Sequence, residues 1–360
     1  TAHTSYAPPS ITELSGQGTV DADTSGGEEG VISGINFGTR AEHRLQPVRA
    51  FYALSDAVTG GDNTIEYEAT GCSITKRHVE ITCKTQPGVG RGLLWIVNIN
   101  GQNSTVPSTS YSKPVIEQIY GPGTESGNTK GGEIVYINGK HFGKRSQNTI
   151  TRVTYGPNGR EYTALNCYVM EDQVLISCLT APGVGIDLRW IVTISNQESD
   201  DEGVATTSYG LPTITSLSQI NVDAGLNSKI GVYGSNFGPV EARPFVTFGK
   251  ANEGFPTTYV SHEKLEFYIP KTYTQKENDV YVHLYTSDPA ATNVTLSTEF
   301  AQTITINPPY LKSLRLEDSS KTDSNVIVSG SSFGSSNQTG YVMYGRQKVT
   351  IVSWAHNQIV

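Results

Sequence analysis

Apolar positions along the chain come in short runs. Glu133-Ile134-Val135-Tyr136-Ile137 and Lys229-Ile230-Gly231-Val232-Tyr233 are β-branched and aromatic, and Val280-Tyr281-Val282-His283-Leu284 alternates with period two. Such runs predict strands with one face toward a core. Leu94-Trp95-Ile96-Val97 and Leu188-Arg189-Trp190-Ile191-Val192 predict further strands, and Asn100-Gly101 after the first marks a tight hairpin. No segment carries the 3.6-residue period of a long amphipathic helix.

The strands repeat as sets. Four segments open alike, at Pro9-Ser10-Ile11, Pro114-Val115-Ile116, Pro212-Thr213-Ile214 and Pro309-Tyr310-Leu311, each with a further apolar residue three positions on. Each is followed by Gly-x-x-Phe-Gly, at 34–38, 139–143, 234–238 and 330–334. Starts at 9, 114, 212 and 309 give a period of about 100 residues, the size of one β-sandwich. The proline opens an edge strand, where its missing N–H does no harm. Thr-Ser-Tyr-x-x-Pro joins the units three times, at 4–9, 109–114 and 207–212, without a Gly/Ser linker. A stiff, rod-like string of sandwiches is therefore expected. Residues 1–8 read as the final strand of a preceding repeat, 9–113, 114–211 and 212–308 as repeats 1 to 3, and 309–360 as an incomplete repeat 4. On this reading the chain is a window on a longer array, completed by covalent continuation or by head-to-tail strand exchange between copies.

These boxes, with Gly131-Gly132 ahead of the second strand, resemble the IPT/TIG domain, the immunoglobulin-like sandwich of plexins, large ciliary and cell-surface receptors and some transcription factors. The resemblance implies an all-β protein of tandem immunoglobulin-like sandwiches. It does not fix a function, because that family hosts adhesion, signalling and DNA binding.

Composition narrows the classes. Of 360 residues 37 are Gly and 17 Pro, charged residues are 17%, and no apolar run is long enough to span a membrane. The net charge of −8, with scattered Lys and Arg, disfavours nucleic acid. The four cysteines form two equivalent pairs, Cys72 with Cys83 and Cys167 with Cys178. Adjacent antiparallel strands would bring each pair within disulfide reach. A zinc site lacks its other two ligands, and buried thiols are the remaining alternative. Disulfides imply an oxidising compartment, hence an extracellular or cell-surface protein. Repeat 3 is read as carrying Thr258 and Ile269 at these places. Sequons stand at Asn103, Asn293 and Asn337, in loops at one end of a sandwich, so N-glycans are expected if the source is a eukaryote.

Enzyme motifs dissolve on comparison between repeats. Gly330-Ser331-Ser332-Phe333-Gly334 fits the nucleophile elbow, but Asn36, His141 and Asn236 replace Ser332 elsewhere. Gly88-Val89-Gly90 is matched by Gly183-Val184-Gly185, a repeat feature and not a phosphate loop. Asp21-Ala22-Asp23-Thr24-Ser25-Gly26 lacks the closing carboxylate of a calcium loop, since residue 32 is Ile, although Glu28 and Glu29 could add to a loose site. The acidic run 198–202 reads as a solvated hairpin tip, and Trp95, Trp190 and Trp354 as core. No catalytic residue, cofactor or metal is expected. The sequence points to a non-enzymatic glycosylated rod or filament for fibre assembly or adhesion, with copies of itself or flanking repeats as partners. The alternative is the ectodomain of a plexin-like or ciliary receptor, and a sugar-binding accessory region is the third class.

Overall fold

The computed structural model describes residues 6–360 except 40–47, 55–65, 105–106, 201–205, 250–252, 272, 274, 286–294 and 335–339. The chain forms two compact units, Thr1–Glu125 with Gly132–Ala181 and Ile186–Ser208, and Ser126–Gly131 with Pro182–Gly185 and Tyr209–Val360.

Among the described residues regular structure is all β apart from two single-turn 3-10 segments. In repeat 1 one sheet runs in the order Ser10–Ser15, Glu29–Ile35, Glu80–Lys84, Thr70–Lys76. The other runs Glu66–Glu68, Arg49–Leu54, Arg91–Ile99, Gln102–Asn103, and Ser108–Ser110 also pairs with Arg91–Ile99. This strand order is that of an immunoglobulin-like sandwich. Repeat 2 reproduces it, with Val115–Tyr120, Ile134–Lys140, Leu175–Leu179, Leu165–Glu171 facing Tyr162–Thr163, Ile150–Gly156, Arg189–Ile194, Gln197–Glu198. Repeat 3 has Thr213–Leu217, Ser228–Ser235, Lys264–Ile269, Thr257–Ser261 in one sheet and a second built around Glu277–Tyr285. In repeat 4 the described strands form one four-stranded sheet, Tyr310–Leu316, Val326–Ser331, Gln358–Ile359, Trp354–Ala355, and a small hairpin. In each repeat the proline-led strand lies at a sheet edge.

The Gly-x-x-Phe-Gly box has the same packing each time. The opening strand bulges where it crosses the second strand, between Ile11 and Glu13, Ile116 and Gln118, Ile214 and Ser216, and Leu311 and Ser313. A Cβ on Gly34, Gly139, Gly234 or Gly330 would lie 2.1, 1.9, 1.9 or 2.0 Å from a carbonyl oxygen of that strand. The box phenylalanine ring closes the other side, and Phe37, Phe142 and Phe237 are fully buried. The residue immediately before each Phe-Gly pair, at Asn36, His141, Asn236 and Ser332, has φ of 65, 64, 59 and 58°. These side chains sit in the left-handed region, which turns the chain out of the strand.

Cores lie between the sheets. In repeat 1 Trp95 stacks on Tyr52 at 4.3 Å and donates Nε1–H to Thr109 Oγ1 at 2.7 Å. In repeat 2 Trp190 stacks on Tyr155 at 4.2 Å and donates to Thr207 Oγ1 at 2.9 Å. Trp354 is only partly buried and donates to the Phe333 carbonyl at 3.0 Å.

Replacing Gly139 by Ala should cost about 1–3 kcal/mol by overpacking against the Val115 carbonyl and Phe142. Chemical denaturation checks this; a variant as stable as the parent contradicts the packing described.

Candidate functional site: the joints between repeats

The residues most often reused in this chain lie where one repeat meets the next. In repeat 1 three tyrosines hold the loop Gln86–Gly90 from below. The Gln86 amide donates to Tyr52 Oη at 2.8 Å, Tyr111 Oη donates to the Gln86 carbonyl at 2.6 Å, and the Val89 amide donates to Tyr67 Oη at 3.0 Å. Burial, with Tyr52 close by, raises the Tyr111 phenol far above its usual range and pushes Tyr67 up to about 12, so both remain neutral donors. A Cβ on Gly88 would meet the Tyr67 and Tyr111 rings at 2.7–2.8 Å, which accounts for the glycine. The loop thereby presents Val89, 1% exposed, to the second glycine of the next box, where a Cβ on Gly143 would lie 3.0 Å from Val89 Cγ1.

Repeat 2 uses the same parts. The Ala181 amide donates to Tyr155 Oη at 2.7 Å, and Val184 lies 2.7 Å from the Cβ position of Gly238. Thus Pro-Gly-Val-Gly and Gly-x-x-Phe-Gly are two halves of one contact.

Polar bonds ring it. Thr24 Oγ1 donates to Gln173 Oε1 at 2.7 Å, and Gln173 Nε2 donates to the Thr24 carbonyl at 2.9 Å. With its proton committed, Thr24 Oγ1 accepts from His141 Nδ1, 3.0 Å away. At the following joint Thr129 Oγ1 lies 3.1 Å from His262 Nδ1 and Lys130 pairs with Glu263 at 2.5 Å. Burial, and then the Lys130 charge, lower the His262 pKa. The Tyr111 carbonyl accepts from Gln197 Nε2 at 2.9 Å, as the Tyr6 carbonyl accepts from Gln102 at 3.1 Å.

Between repeats 3 and 4 the parts change. Phe248 stands where Tyr52 and Tyr155 stand, so no hydroxyl supports a Pro-Gly-Val-Gly loop. Instead Asp223 Oδ1 accepts from Ser332 Oγ at 2.8 Å and from Asn307 Nδ2 at 3.0 Å, and Oδ2 lies 2.9 Å from His356 Nε2. The Asn307 and His356 bonds hold the Asp223 carboxyl below the usual range. The elbow-like Ser332 is thus 2% exposed and bonded to the carboxylate, which separates it from the imidazole.

Of the other candidates, Asp23 Oδ1 accepts from the Ser25 amide at 2.7 Å, which lowers its pKa, and its amide donates to Glu28 Oε2 at 2.8 Å. Among the described residues no cluster of His, Cys, Asp and Glu is arranged for a metal ion. Glu198 and Asp200 of the acidic run pair with Arg160 and Lys113, both at 2.7 Å; residues 201–202 lie outside the described residues. Asn103 is exposed beside Gln102, whereas Asn293 and Asn337 lie outside the described residues.

Cys72 is joined to Cys83 and Cys167 to Cys178, with Cα atoms 4.1 and 4.2 Å apart. Each bridge links adjacent strands of one sheet, at a bulge. Gly71 and Asn166, with φ of 61 and 49°, precede the first cysteine and share with it one partner on the next strand. In repeat 3 the register places Thr257 and Phe267 there, not Thr258 and Ile269. The hairpin turn is one residue shorter and the bulge is missing at that point, which shifts the alignment. Phe267 fills the place of the bridge, packing at 5.8 Å against Phe248.

No protein-family model matches the chain, and a search of curated proteins gave no match. Among solved structures the chain is similar to the plexin A4 extracellular region (14% identity, TM-score 0.25, 98% of this chain and 28% of that one). It is also similar to a surface glycan-binding protein of Prevotella bryantii (17%, TM-score 0.30, 52% and 42%) and to an Escherichia coli adhesin (12%, TM-score 0.22, 82% and 99%). The chain thus spans less than half the length of the first two. The tandem immunoglobulin-like fold rests on the strand orders above.

Two outcomes are expected. Replacing Cys167 and Cys178 together by Ala should cost about 2–3 kcal/mol, since each bridge closes a short loop; unchanged denaturation would contradict this. The lowered His262 pKa means that its contribution is complete above the unfolded value of about 6.5 and is lost as pH falls through the folded value. Thermal melts between pH 7.5 and 5 should therefore show a decline that His262→Gln removes.

Proposed function

We infer that the chain is a non-enzymatic structural segment, used as a spacer in an extracellular fibre or adhesive filament of tandem immunoglobulin-like domains. The observation that carries this reading is the reuse of one joint. Val89 meets the position of Gly143 and Val184 that of Gly238, each on a Pro-Gly-Val-Gly loop beside a tyrosine hydroxyl. A contact repeated between modules in this way suits a fibre or adhesive stalk, which is built by adding like modules.

The extracellular part is supported by two disulfides, which persist in oxidising compartments. Among the described residues no helix is long and apolar enough to cross a membrane. N-glycans on Asn103, Asn293 and Asn337 belong to the same proposal. Asn103 is exposed, beside Gln102, which bonds the Tyr6 carbonyl, so a glycan there has open access.

Non-reducing peptide mapping of protein from its native source tests the reading. Intact Cys72–Cys83 and Cys167–Cys178 bridges, a glycan on Asn103 and location in an extracellular fibre or on the cell surface are expected. Free thiols in a cytosolic fraction would overturn it.

A further inference from the structure

Tyrosines occupy two kinds of place in this chain. Tyr52, Tyr67, Tyr111 and Tyr155 are buried, and their hydroxyls are committed to hydrogen bonds with the loops above them. Tyr120 and Tyr136 stand directly opposite each other on the first two strands of repeat 2. They lie on the face turned away from the core, because their strand neighbours Ile119, Val135 and Ile137 are the buried residues. Their ring centres are 5.3 Å apart with 31° between the planes, so the two phenols are in contact. Tyr120 is 41% exposed and Tyr136 is partly exposed. Among the described residues neither hydroxyl has a hydrogen-bond partner.

The fold does not call for this pair. The matching positions hold Ser15 and Val31 in repeat 1, Ser218 and Gly231 in repeat 3, and Arg315 and Ile327 in repeat 4. The other tyrosine pairs in ring contact among the described residues, Tyr52 with Tyr67 and Tyr111, Tyr67 with Tyr111, and Tyr155 with Tyr162, each include a buried ring.

That placement decides what an oxidant does. A one-electron oxidant takes an electron from a tyrosine, and the phenolic proton must leave to water. The Tyr111 hydroxyl holds its proton, since it donates to the Gln86 carbonyl and burial raises its pKa far above the usual range. The Tyr120 and Tyr136 hydroxyls are held by no such bond. A radical formed on one of them has the other ring kept against it at high effective concentration.

We propose that Tyr120 and Tyr136 form a site of oxidative cross-linking, where a peroxide joins them ring to ring as an intrachain dityrosine. Each tyrosine gives up one electron and its phenolic proton. The two phenoxyl radicals form a carbon–carbon bond between ring positions next to the hydroxyls. The hydrogens displaced from those carbons return the two oxygens to phenols. The chain loses two hydrogen atoms, and one hydrogen peroxide molecule takes them up as it is reduced to two water molecules.

The bond would fall where the sheet lacks one. Val115–Tyr120 lies at the edge of its sheet and pairs there with Ile134–Lys140 alone. At the opposite edge the Cys167–Cys178 bridge already ties Leu165–Glu171 to Leu175–Leu179. A dityrosine closes the loop between 120 and 136 and limits the unfolded chain as a disulfide does. The pairing of the rings is independent of the fibre reading; the supply of oxidant rests on its extracellular setting.

Treating the dilute full chain with a peroxidase and hydrogen peroxide tests the pair. Dityrosine fluorescence should appear while the mass stays that of one chain, peptide mapping should join Tyr120 to Tyr136, and the melting temperature should rise. Tyr120→Phe and Tyr136→Phe should each remove most of the fluorescence. Tyr168→Phe should leave it, because Tyr168 lies beyond Ser177, two strands from Tyr136 in the same row. Coupling that Tyr120→Phe or Tyr136→Phe leaves undiminished overturns the proposal, as does coupling chiefly between chains. Native protein tests the setting, and a linked pair is expected there. An extracellular chain with both disulfides intact and residues 120 and 136 unlinked overturns the proposal while leaving the extracellular reading in place.

Discussion

The contact on which the remaining structure depends is the close approach of two backbones inside each Gly-x-x-Phe-Gly box. A carbonyl of the opening strand comes within about 2 Å of where a side chain on the first glycine would begin, and the phenylalanine ring fills the space beside it. This crowding fixes the bulge in the opening strand and the burial of the phenylalanine. It also forces the residue before Phe into the left-handed region, where its side chain leaves the sandwich and faces the neighbouring repeat. Asn36 and Asn236 use that position to donate to the carbonyl just before the opening proline, at 3.0 and 3.4 Å. His141 and Ser332 use it to meet Thr24 and Asp223. Core packing and the joint are thus set by one five-residue segment.

From that constraint the chain draws two kinds of joint. The first two rest on a valine wedge supported by tyrosine hydroxyls and ringed by hydrogen bonds, joined at the second by the Lys130–Glu263 ion pair. The third rests on the Asp223 carboxylate shared by Ser332, Asn307 and His356. The change follows from the core. With Phe248 in place of tyrosine the sheet gains an aromatic cluster with Phe255, Phe267 and Tyr273, and loses the hydroxyl that would hold a loop above it. The same substitution of aromatic packing for covalent linkage explains why repeat 3 folds without a disulfide.

Much of this was legible in the residues. The prolines, the boxes and the Thr-Ser-Tyr segments mark the strands and joints because proline, glycine and a buried aromatic each have few alternatives at such positions. The cysteine pairing was legible because adjacent strands leave few other partners. Other features depend on register, which spacing alone does not fix. The bulge at Gly71 and Asn166 was hidden, though a residue tolerant of positive φ before each cysteine was its signal. Its absence from repeat 3, with a shorter turn, moved the counterparts of the bridge to Thr257 and Phe267. The pairing of Val89 with Gly143 joins motifs more than 50 positions apart and becomes visible only when two sandwiches are placed end to end. The meeting of Tyr120 with Tyr136 likewise depends on the register of two strands.

The central claim is that the valine wedge and its polar ring fix one repeat against the next. Residual dipolar couplings of the full chain test it most directly, because they report the relative orientation of bond vectors in repeats 1 and 2. The account predicts that a single alignment tensor fits the couplings of both repeats, and that Val89→Gly separates them into two. Two independent tensors in the unaltered chain would show that the joint does not hold the repeats in register, and would contradict the account.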